Sequence, residues 1–144
     1  MRRAEEFAKG MITTGQNAFA QYALVVHEHD PASIDAVTMY RDIVSADAAW
    51  LYAPGTHREA SFAQIANPNY TSAYYAYVEA PMIAKDMIAT KFDPTNLLDG
   101  GPARRYRAVV LNPGGSKPAG EIVKEFLGRP PNERAWGAWL NRDP

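Results

Sequence analysis

Apolar residues recur at helical spacing along most of the chain, and turn-forming residues separate the apolar runs. A first helix is predicted from about Arg3 to Val26, and Asp30-Pro31 predicts the start of a second, with the aspartate as N-cap. The predicted stripe of the first helix is Phe7, Met11, Ala18, Tyr22 and Val25; that of the second is Ile34, Val37, Tyr40, Val44 and Ala48. No alternation of period two lasts more than a few residues, so the pattern predicts an all-α fold in a single helical unit over residues 1–144.

The second half contains several helix-breaking signals. A helix is predicted from about Tyr70 to Thr90, with Asn69 as its N-cap. Pro81 lies inside this helix and cannot donate to the carbonyl of Tyr77, so it predicts a kink or a break. The later predicted elements are a turn of helix from Asp93 to Leu98, a helix from Ala103 to Leu111, a helix capped by Ser116 and ended by Gly128, and a last helix from Asn132 to Leu140.

Four tyrosines lie within one short stretch of the sequence. On a helix Tyr70, Tyr74 and Tyr77 share one face at i, i+4 and i+7, whereas Tyr75 points elsewhere. Phenols are neutral hydrogen-bond donors at pH 7. Periodicity alone favours an aromatic stripe packed against a neighbouring helix, but three buried hydroxyls would each need a partner.

Composition narrows the function classes. The 144 residues include 15 basic and 16 acidic ones, for a net charge of −1, which argues against nucleic acid or an anionic membrane as partner. No apolar run approaches the ~20 residues of a membrane helix, and the N-terminus is interpreted as helix and not as a signal peptide. The chain has no cysteine, which is consistent with a reducing compartment; a cytoplasmic location is predicted.

The sequence offers no convincing metal site or nucleophile motif. His27-Glu28-His29 contains two histidines, but residues two apart lie ~200° apart on a helix and cannot chelate one ion there. They are better explained as a solvated helix end, where histidine is favourable to the helix dipole. His57 is alone in a predicted loop, and no Gly-x-Ser-x-Gly elbow occurs.

From Ser61 onward, several motifs in order resemble the C-terminal part of the thimet oligopeptidase family of zinc metallopeptidases. The residues that carry the resemblance are Phe62-Ala63-Gln64-Ile65, Asn69-Tyr70-Thr71-Ser72-Ala73-Tyr74-Tyr75-Ala76-Tyr77, Tyr106-Arg107, Leu111-Asn112-Pro113-Gly114-Gly115-Ser116 and Phe126-Leu127-Gly128-Arg129-Pro130-Pro131. The resemblance implies an all-helical catalytic domain that lines a deep channel and hydrolyses short peptides. Family members hold one zinc with H-E-x-x-H and a downstream glutamate. This chain resembles roughly the last fifth of such an enzyme. The resemblance implies zinc as the cofactor of the complete enzyme, not bound by this chain alone, and an upstream zinc-bearing half as its partner.

The resemblance also implies roles for single residues. Tyr77 would donate a hydrogen bond to the oxyanion formed at the scissile carbonyl, Tyr70 would close over the substrate, and Tyr74 would line the channel. Gln64 replaces a family histidine and would contact the substrate as a hydrogen-bond donor. Unlike histidine, it cannot take up a proton or become charged. Asn69 replaces the glycine before the first tyrosine, although asparagine tolerates left-handed backbone.

Three functional interpretations remain open from sequence. The chain is a segment of a zinc oligopeptidase, a non-catalytic helical module of that fold that binds a peptide or protein, or an unrelated bundle whose tyrosines are core. The order of motifs favours the first two. A segment of a larger catalytic domain is also expected to leave an apolar face uncovered and to self-associate.

Overall fold

The computed structural model describes residues 7–142, and within this range every regular element is a helix. The all-α prediction is confirmed. The α-helices of the described range are α1 (Lys9–Glu28), α2 (Ala36–Asp47), α3 (Ala63–Ala66), α4 (Ala76–Lys91), α5 (Gly100–Tyr106), α6 (Ala119–Leu127) and α7 (Arg134–Leu140). Short 3-10 helices lie at Pro31–Ser33, Ala49–Leu51, Glu59–Ser61, Thr71–Tyr75 and Gly114–Ser116.

Two compact units make up the chain, and the boundary between them follows Glu79. Helix α4 begins in the first unit and ends in the second. The prediction of a single helical unit over residues 1–144 stays a prediction. No helix within residues 7–142 is both long enough and apolar enough to cross a membrane.

The first unit has a core rich in aromatic rings. Helix α1 packs against α2 and against the 3-10 helix Thr71–Tyr75. The ring of Phe19 lies 4.9 Å from that of Phe62, and Tyr22 meets Tyr40 edge-on at 5.3 Å. Tilted and edge-on contacts at these distances are the favourable geometries for aromatic pairs. Aromatic packing between α1, α2 and the following segments therefore fixes the position of the tyrosine stretch.

The predicted stripes of the first unit are correct in part. Ala18, Tyr22, Tyr40, Val44 and Ala48 are buried. Phe7, Met11 and Val37 are exposed, contrary to prediction, because the aromatic core lies further along α1 and α2 and Phe19 takes the central position. The predicted start of the first helix, residues 3–6, lies outside the described residues.

The start of the second helix also differs from the prediction. Asp30 accepts a hydrogen bond from Ala32 N, as expected for a cap, but it caps only the 3-10 helix Pro31–Ser33. Helix α2 has its own cap, Asp35, whose carboxylate accepts from Thr38 N. The extended backbone at Ile34 and Asp35 prevents one continuous helix from Asp30.

The second unit has a smaller core around Phe126, which is fully buried and meets Tyr106 edge-on at 5.6 Å. Beside this core, Arg129 forms a two-pronged ion pair with the buried carboxylate of Asp86, with contacts of 2.6 and 2.8 Å. Asn132 N donates to the same carboxylate at 3.0 Å. Bidentate guanidinium–carboxylate pairs are among the stronger hydrogen-bonded contacts in proteins, and this one ties α4 to the segment after α6.

Local details of the second unit depart from prediction in three places. Helix α4 runs through Pro81 without the predicted break, because the loss of one backbone bond does not outweigh the remaining bonds of a 16-residue helix. The alternative, a kink at this position, stays a prediction. Ser116 caps no helix; it ends a 3-10 turn, and its hydroxyl donates to the carbonyl of Pro113. Residues 93–98 form turns and no helix, and Asp99 caps α5 through Gly101 N.

The predicted helix from Ala103 to Leu111 is α-helical only in part. Helix α5 begins earlier, at Gly100, and Arg107–Leu111 is wound as a π-helix. Asn112 N accordingly bonds the carbonyl of Arg107, five residues back, at 2.9 Å. The end of α6 at Gly128 is confirmed, with a left-handed backbone at φ 77°.

Candidate functional site

The tyrosine stretch is a two-part helix. Thr71–Tyr75 is a 3-10 helix, and regular α-helix begins only at Ala76. The prediction of one α-helix from Tyr70 is therefore wrong in its first turn. This turn packs against both α1 and the short helix α3.

Asn67 organises the turn that precedes the tyrosines. Its side-chain oxygen accepts from Asn69 N at 2.9 Å, and its carbonyl accepts from the backbone N of Tyr70 and of Thr71 at 2.9 and 3.0 Å. Asn69 was predicted as the N-cap, but Tyr70 occupies that position and no side chain caps it. Asparagine side chains commonly accept from the backbone N–H two residues on, so the Asn67 side chain stabilises the turn, whereas its backbone carbonyl accepts from the first N–H of the 3-10 helix.

Thr71 has a left-handed backbone, with φ 42°. For a β-branched residue this conformation is unfavourable. Such strain is maintained only where the surroundings over-determine it, and here the Asn67 turn on one side and the packing of Thr71–Tyr75 on the other hold the residue. Tyr70, the adjacent residue, is therefore held in a defined position.

Tyr70 and Tyr77 form a stacked pair. Their ring centroids are 5.8 Å apart with planes 14° from parallel, and the Tyr77 hydroxyl donates to the Tyr70 hydroxyl at 2.9 Å. Tyr77 is 44% exposed, and Tyr70 is half-buried. The hydrogen bond to Tyr70 is the main cause that raises the pKa of Tyr77 above its ordinary value, because it favours the protonated phenol. The pair therefore places the exposed ring of Tyr77 against the half-buried ring of Tyr70.

Tyr74 belongs to the core as much as to the tyrosine row. Its ring is buried, lies edge-on to Phe62 at 4.8 Å, and approaches the ring of Tyr77 to 4.9 Å. Its hydroxyl donates to Gln16 Oε1 on α1 at 2.9 Å. Burial is the main cause that raises the pKa of Tyr74. The three rings are neighbours as predicted, but the Tyr74 hydroxyl is engaged with Gln16, whereas the other two bond each other.

The remaining predicted positions flank this cluster. Gln64 is half-buried on α3, the helix against which Thr71–Tyr75 packs. Tyr75 is 45% exposed. Gln16 and Asn67 were not predicted: Gln16 lies 58 residues from its partner, and nothing in the local sequence around it signals a contact with tyrosine.

The histidines do not form a metal site with the other described side chains. His27 and His29 each donate from Nδ1 to the carbonyl four residues back, at 2.6 and 2.8 Å, and His57 Nδ1 lies 2.9 Å from the carboxylate of Glu59. Within residues 7–142, no three His, Asp or Glu side chains gather closely enough to hold one ion. The described residues therefore do not fit a zinc centre by themselves.

Comparison with known proteins gives consistent matches. The family model described as "Peptidase family M3" matches residues 1–141. Saccharolysin from Saccharomyces cerevisiae is 41% identical over 78 residues, which are 53% of this chain and 10% of that protein. Thimet-like oligopeptidase from Dictyostelium discoideum is 28% identical over 122 residues, 84% of this chain and 18% of that protein. The chain thus spans less than a fifth of the length of either relative.

Proposed function

The chain belongs to peptidase family M3, and from this premise we propose that it supplies the substrate-facing tyrosines of an oligopeptidase that hydrolyses short peptides. Family membership removes the interpretation as an unrelated bundle, because the family model covers nearly the whole chain. The observation that carries the proposal is the Tyr70–Tyr77 pair, in which two phenol hydroxyls meet at 2.9 Å and one ring is 44% exposed.

The chemistry proposed for Tyr77 is stabilisation of an oxyanion. When a nucleophile adds to a peptide carbonyl, negative charge develops on the oxygen. A neutral O–H positioned beforehand at that oxygen stabilises the transition state more than the ground state. Tyr77 suits this role because its side chain is 44% exposed, a phenol keeps its proton at neutral pH, and its ring contacts those of Tyr70 and Tyr74.

Tyr70 is proposed to exchange its bond with Tyr77 for a bond to the substrate. While the Tyr77 hydroxyl donates to Tyr70, it is not available to a carbonyl. A substrate oxygen that accepts from Tyr77 therefore replaces the Tyr70 oxygen as acceptor, and Tyr70 is then free to contact the peptide. Gln64, half-buried on the adjoining helix α3, is proposed to donate to the peptide backbone from its side-chain amide.

Zinc is proposed to belong to the complete enzyme. Because the described residues do not gather three suitable ligands, the ion would be held by a separate upstream segment that acts as partner. The present chain contributes the hydrogen-bonding side of the site. The short peptide substrate and the upstream segment are both part of this proposal.

Reconstitution with an upstream segment tests the proposal. The chain is mixed with a zinc-bearing N-terminal segment of an M3 peptidase from the same genome, and cleavage of a quenched short peptide is followed. Tyr77→Phe removes one hydroxyl and is expected to lower kcat by ~10²–10³-fold, as loss of one oxyanion donor typically does. Tyr75→Phe is the matched control, since Tyr75 has almost the same exposure, 45%, and is expected to leave the rate unchanged.

Two outcomes would overturn the proposal. Equal rates for wild type and Tyr77→Phe would remove the oxyanion role. Peptide binding without any turnover in the reconstituted complex would instead favour the non-catalytic binding module. In that case labelled peptide would still bind, and Tyr70→Phe would weaken the binding.

A further inference from the structure

The hydrogen bond between Gln16 and Tyr74 connects α1 to the tyrosine cluster. Tyr74 donates to Gln16 Oε1 at 2.9 Å across 58 residues of sequence. Tyr74 is 7% exposed, and Gln16 is half-buried at the edge of the same core. A purely apolar role at position 74 would be met by phenylalanine, because the ring already packs on Phe62 and Phe19. The hydroxyl and its acceptor therefore need a separate explanation.

The geometry of a phenol supplies one. The oxygen lies on the long axis of the ring, so a hydrogen bond to it fixes the end of the ring that is farthest from the backbone. The Tyr74 ring is thus held by the backbone at one end and by Gln16 at the other. Its ring centroid lies 4.9 Å from that of Tyr77, with the two planes tilted by 39°, and Tyr77 in turn stacks on Tyr70 at 5.8 Å. A tilt of the first ring would move the second.

We propose that Gln16 is a positioning residue for the tyrosine pair, acting through the ring of Tyr74. The substrate meets Tyr70 and Tyr77, whereas Tyr74 is a support whose hydroxyl is occupied by Gln16 instead of facing the peptide. This inference deepens the proposed function and rests on it. It also gives Tyr74 a role different from the channel-lining one that family resemblance implies.

Position matters here because oxyanion stabilisation depends on geometry. A displacement of a reacting group by about 1 Å can cost ~10²-fold in rate. The Tyr77 side chain is 44% exposed, so it has fewer contacts than a core ring to oppose such a displacement. Its ring neighbours, Tyr70 and Tyr74, provide the orientation, and Tyr74 is the one of the two that is buried.

Two substitutions at position 16 separate hydrogen bonding from packing. Gln16→Leu introduces an apolar side chain of similar size and removes the acceptor, whereas Gln16→Glu keeps an acceptor oxygen for the Tyr74 hydroxyl. Tyr74→Phe removes the donor from the other side while keeping the ring. Gln21→Leu is the matched control, because Gln21 lies on the same helix and bonds Asp47 at 3.1 Å, away from the tyrosines.

The first measurement needs no catalysis. Ring resonances of tyrosine-labelled chain are followed by NMR, with those of Tyr70 and Tyr77 assigned from the Tyr→Phe variants, and circular dichroism checks helicity. Gln16→Leu and Tyr74→Phe are expected to shift the ring resonances of Tyr70 and Tyr77 by similar amounts. The double variant that carries both substitutions is expected to cause no larger shift. Gln16→Glu and Gln21→Leu are expected to leave both rings in place.

The second measurement uses the reconstituted peptidase. Gln16→Leu is expected to lower kcat by roughly 10–100-fold with a small change in KM, and Gln16→Glu to restore most of the rate. The positioning role would be overturned if the ring resonances of Tyr70 and Tyr77 did not shift in folded Gln16→Leu. If Gln16→Leu does not fold, unshifted resonances in Tyr74→Phe would overturn it instead. Moved rings in a complex that cleaves nothing would uphold the positioning role and refute only the proposed peptidase function, so the two failures are distinguishable.

Discussion

The hydroxyl of Tyr77 donates to the hydroxyl of Tyr70 at 2.9 Å while their rings stack within 14° of parallel. They are seven positions apart in the sequence, and the two-part helix between them brings both rings to the same side. One contact therefore has two effects: it orients the Tyr77 ring, and it favours the protonated form of that phenol. A substitution at either position is therefore expected to alter both the orientation and the hydrogen bonding of the other tyrosine.

Removal of the Tyr70 hydroxyl should make Tyr77 more acidic. The hydrogen bond to Tyr70 is the main cause that raises the pKa of Tyr77 above 10.0. In Tyr70→Phe the acceptor is lost, so the pKa of Tyr77 should fall towards 10.0 and the phenol should lose its proton at lower pH. The measurement is an alkaline titration of the Tyr77 ring carbon resonances in labelled chain. The prediction would be contradicted if the pKa of Tyr77 were the same in the wild type and in Tyr70→Phe.

The ion pair of Asp86 with Arg129 should make stability depend on acid pH. Arg129 is the main cause that lowers the pKa of Asp86 from 3.8 to about 2. A carboxyl with a depressed folded-state pKa stabilises the fold fully above its unfolded-state pKa, and this stabilisation is lost as pH falls through the folded-state value. We therefore expect the free energy of unfolding to fall by about 2 kcal/mol between roughly pH 4 and pH 2.

Denaturant titrations at several pH values measure this acid dependence. Asp86→Asn should be less stable than wild type at pH 7 and should lack most of the decrease between pH 4 and pH 2. Asp42→Asn is the control, because Asp42 forms only an exposed pair with Arg41, and it should keep the decrease. A wild-type curve that is flat over this range would refute the assignment.

Two glycines of the α6 region should respond to alanine in opposite directions. Gly128 ends the helix at φ 77°, where an alanine is strained although nothing lies within 4 Å of its added methyl group. Gly128→Ala should therefore destabilise the chain by about 1 kcal/mol. Gly120 lies within α6 with helical backbone and equally open space, so Gly120→Ala should stabilise it by about 0.5 kcal/mol. Thermal unfolding followed by circular dichroism compares them, and a loss of stability in both variants would argue against the backbone explanation.

Local signals in the sequence predicted helix ends well where one residue decides the conformation. Gly128 is such a case, because only glycine adopts a left-handed backbone without cost. Asp30 was predicted correctly as a cap but not as the cap of the second helix, because it caps only the 3-10 helix Pro31–Ser33 and Asp35 caps α2. Pro81 shows the limit: its missing N–H is visible in the sequence, but the continuity of α4 depends on all of the helix's other bonds.

The tyrosines of the candidate site were predictable from the sequence, whereas their arrangement and their polar partners were not. The spacing of Tyr70, Tyr74 and Tyr77 correctly indicated neighbouring rings. The 3-10 winding of the first turn follows from the bonds to Asn67, and the burial of Tyr74 follows from packing on α1. The acceptor Gln16 is distant in sequence and carries no motif, so only the folded chain identifies it.

The π-helix Arg107–Leu111 holds one residue more than regular α-helical winding over the same rise would need. Deletion of a single residue there would let the backbone return to regular α-helical winding, and the side chains that follow would keep their orientation around the helix axis. The same deletion inside α4 would rotate everything downstream by ~100° and misdirect its buried side. Among the described helices of the second unit, this stretch is therefore expected to accept a change of one residue in length more readily than α4.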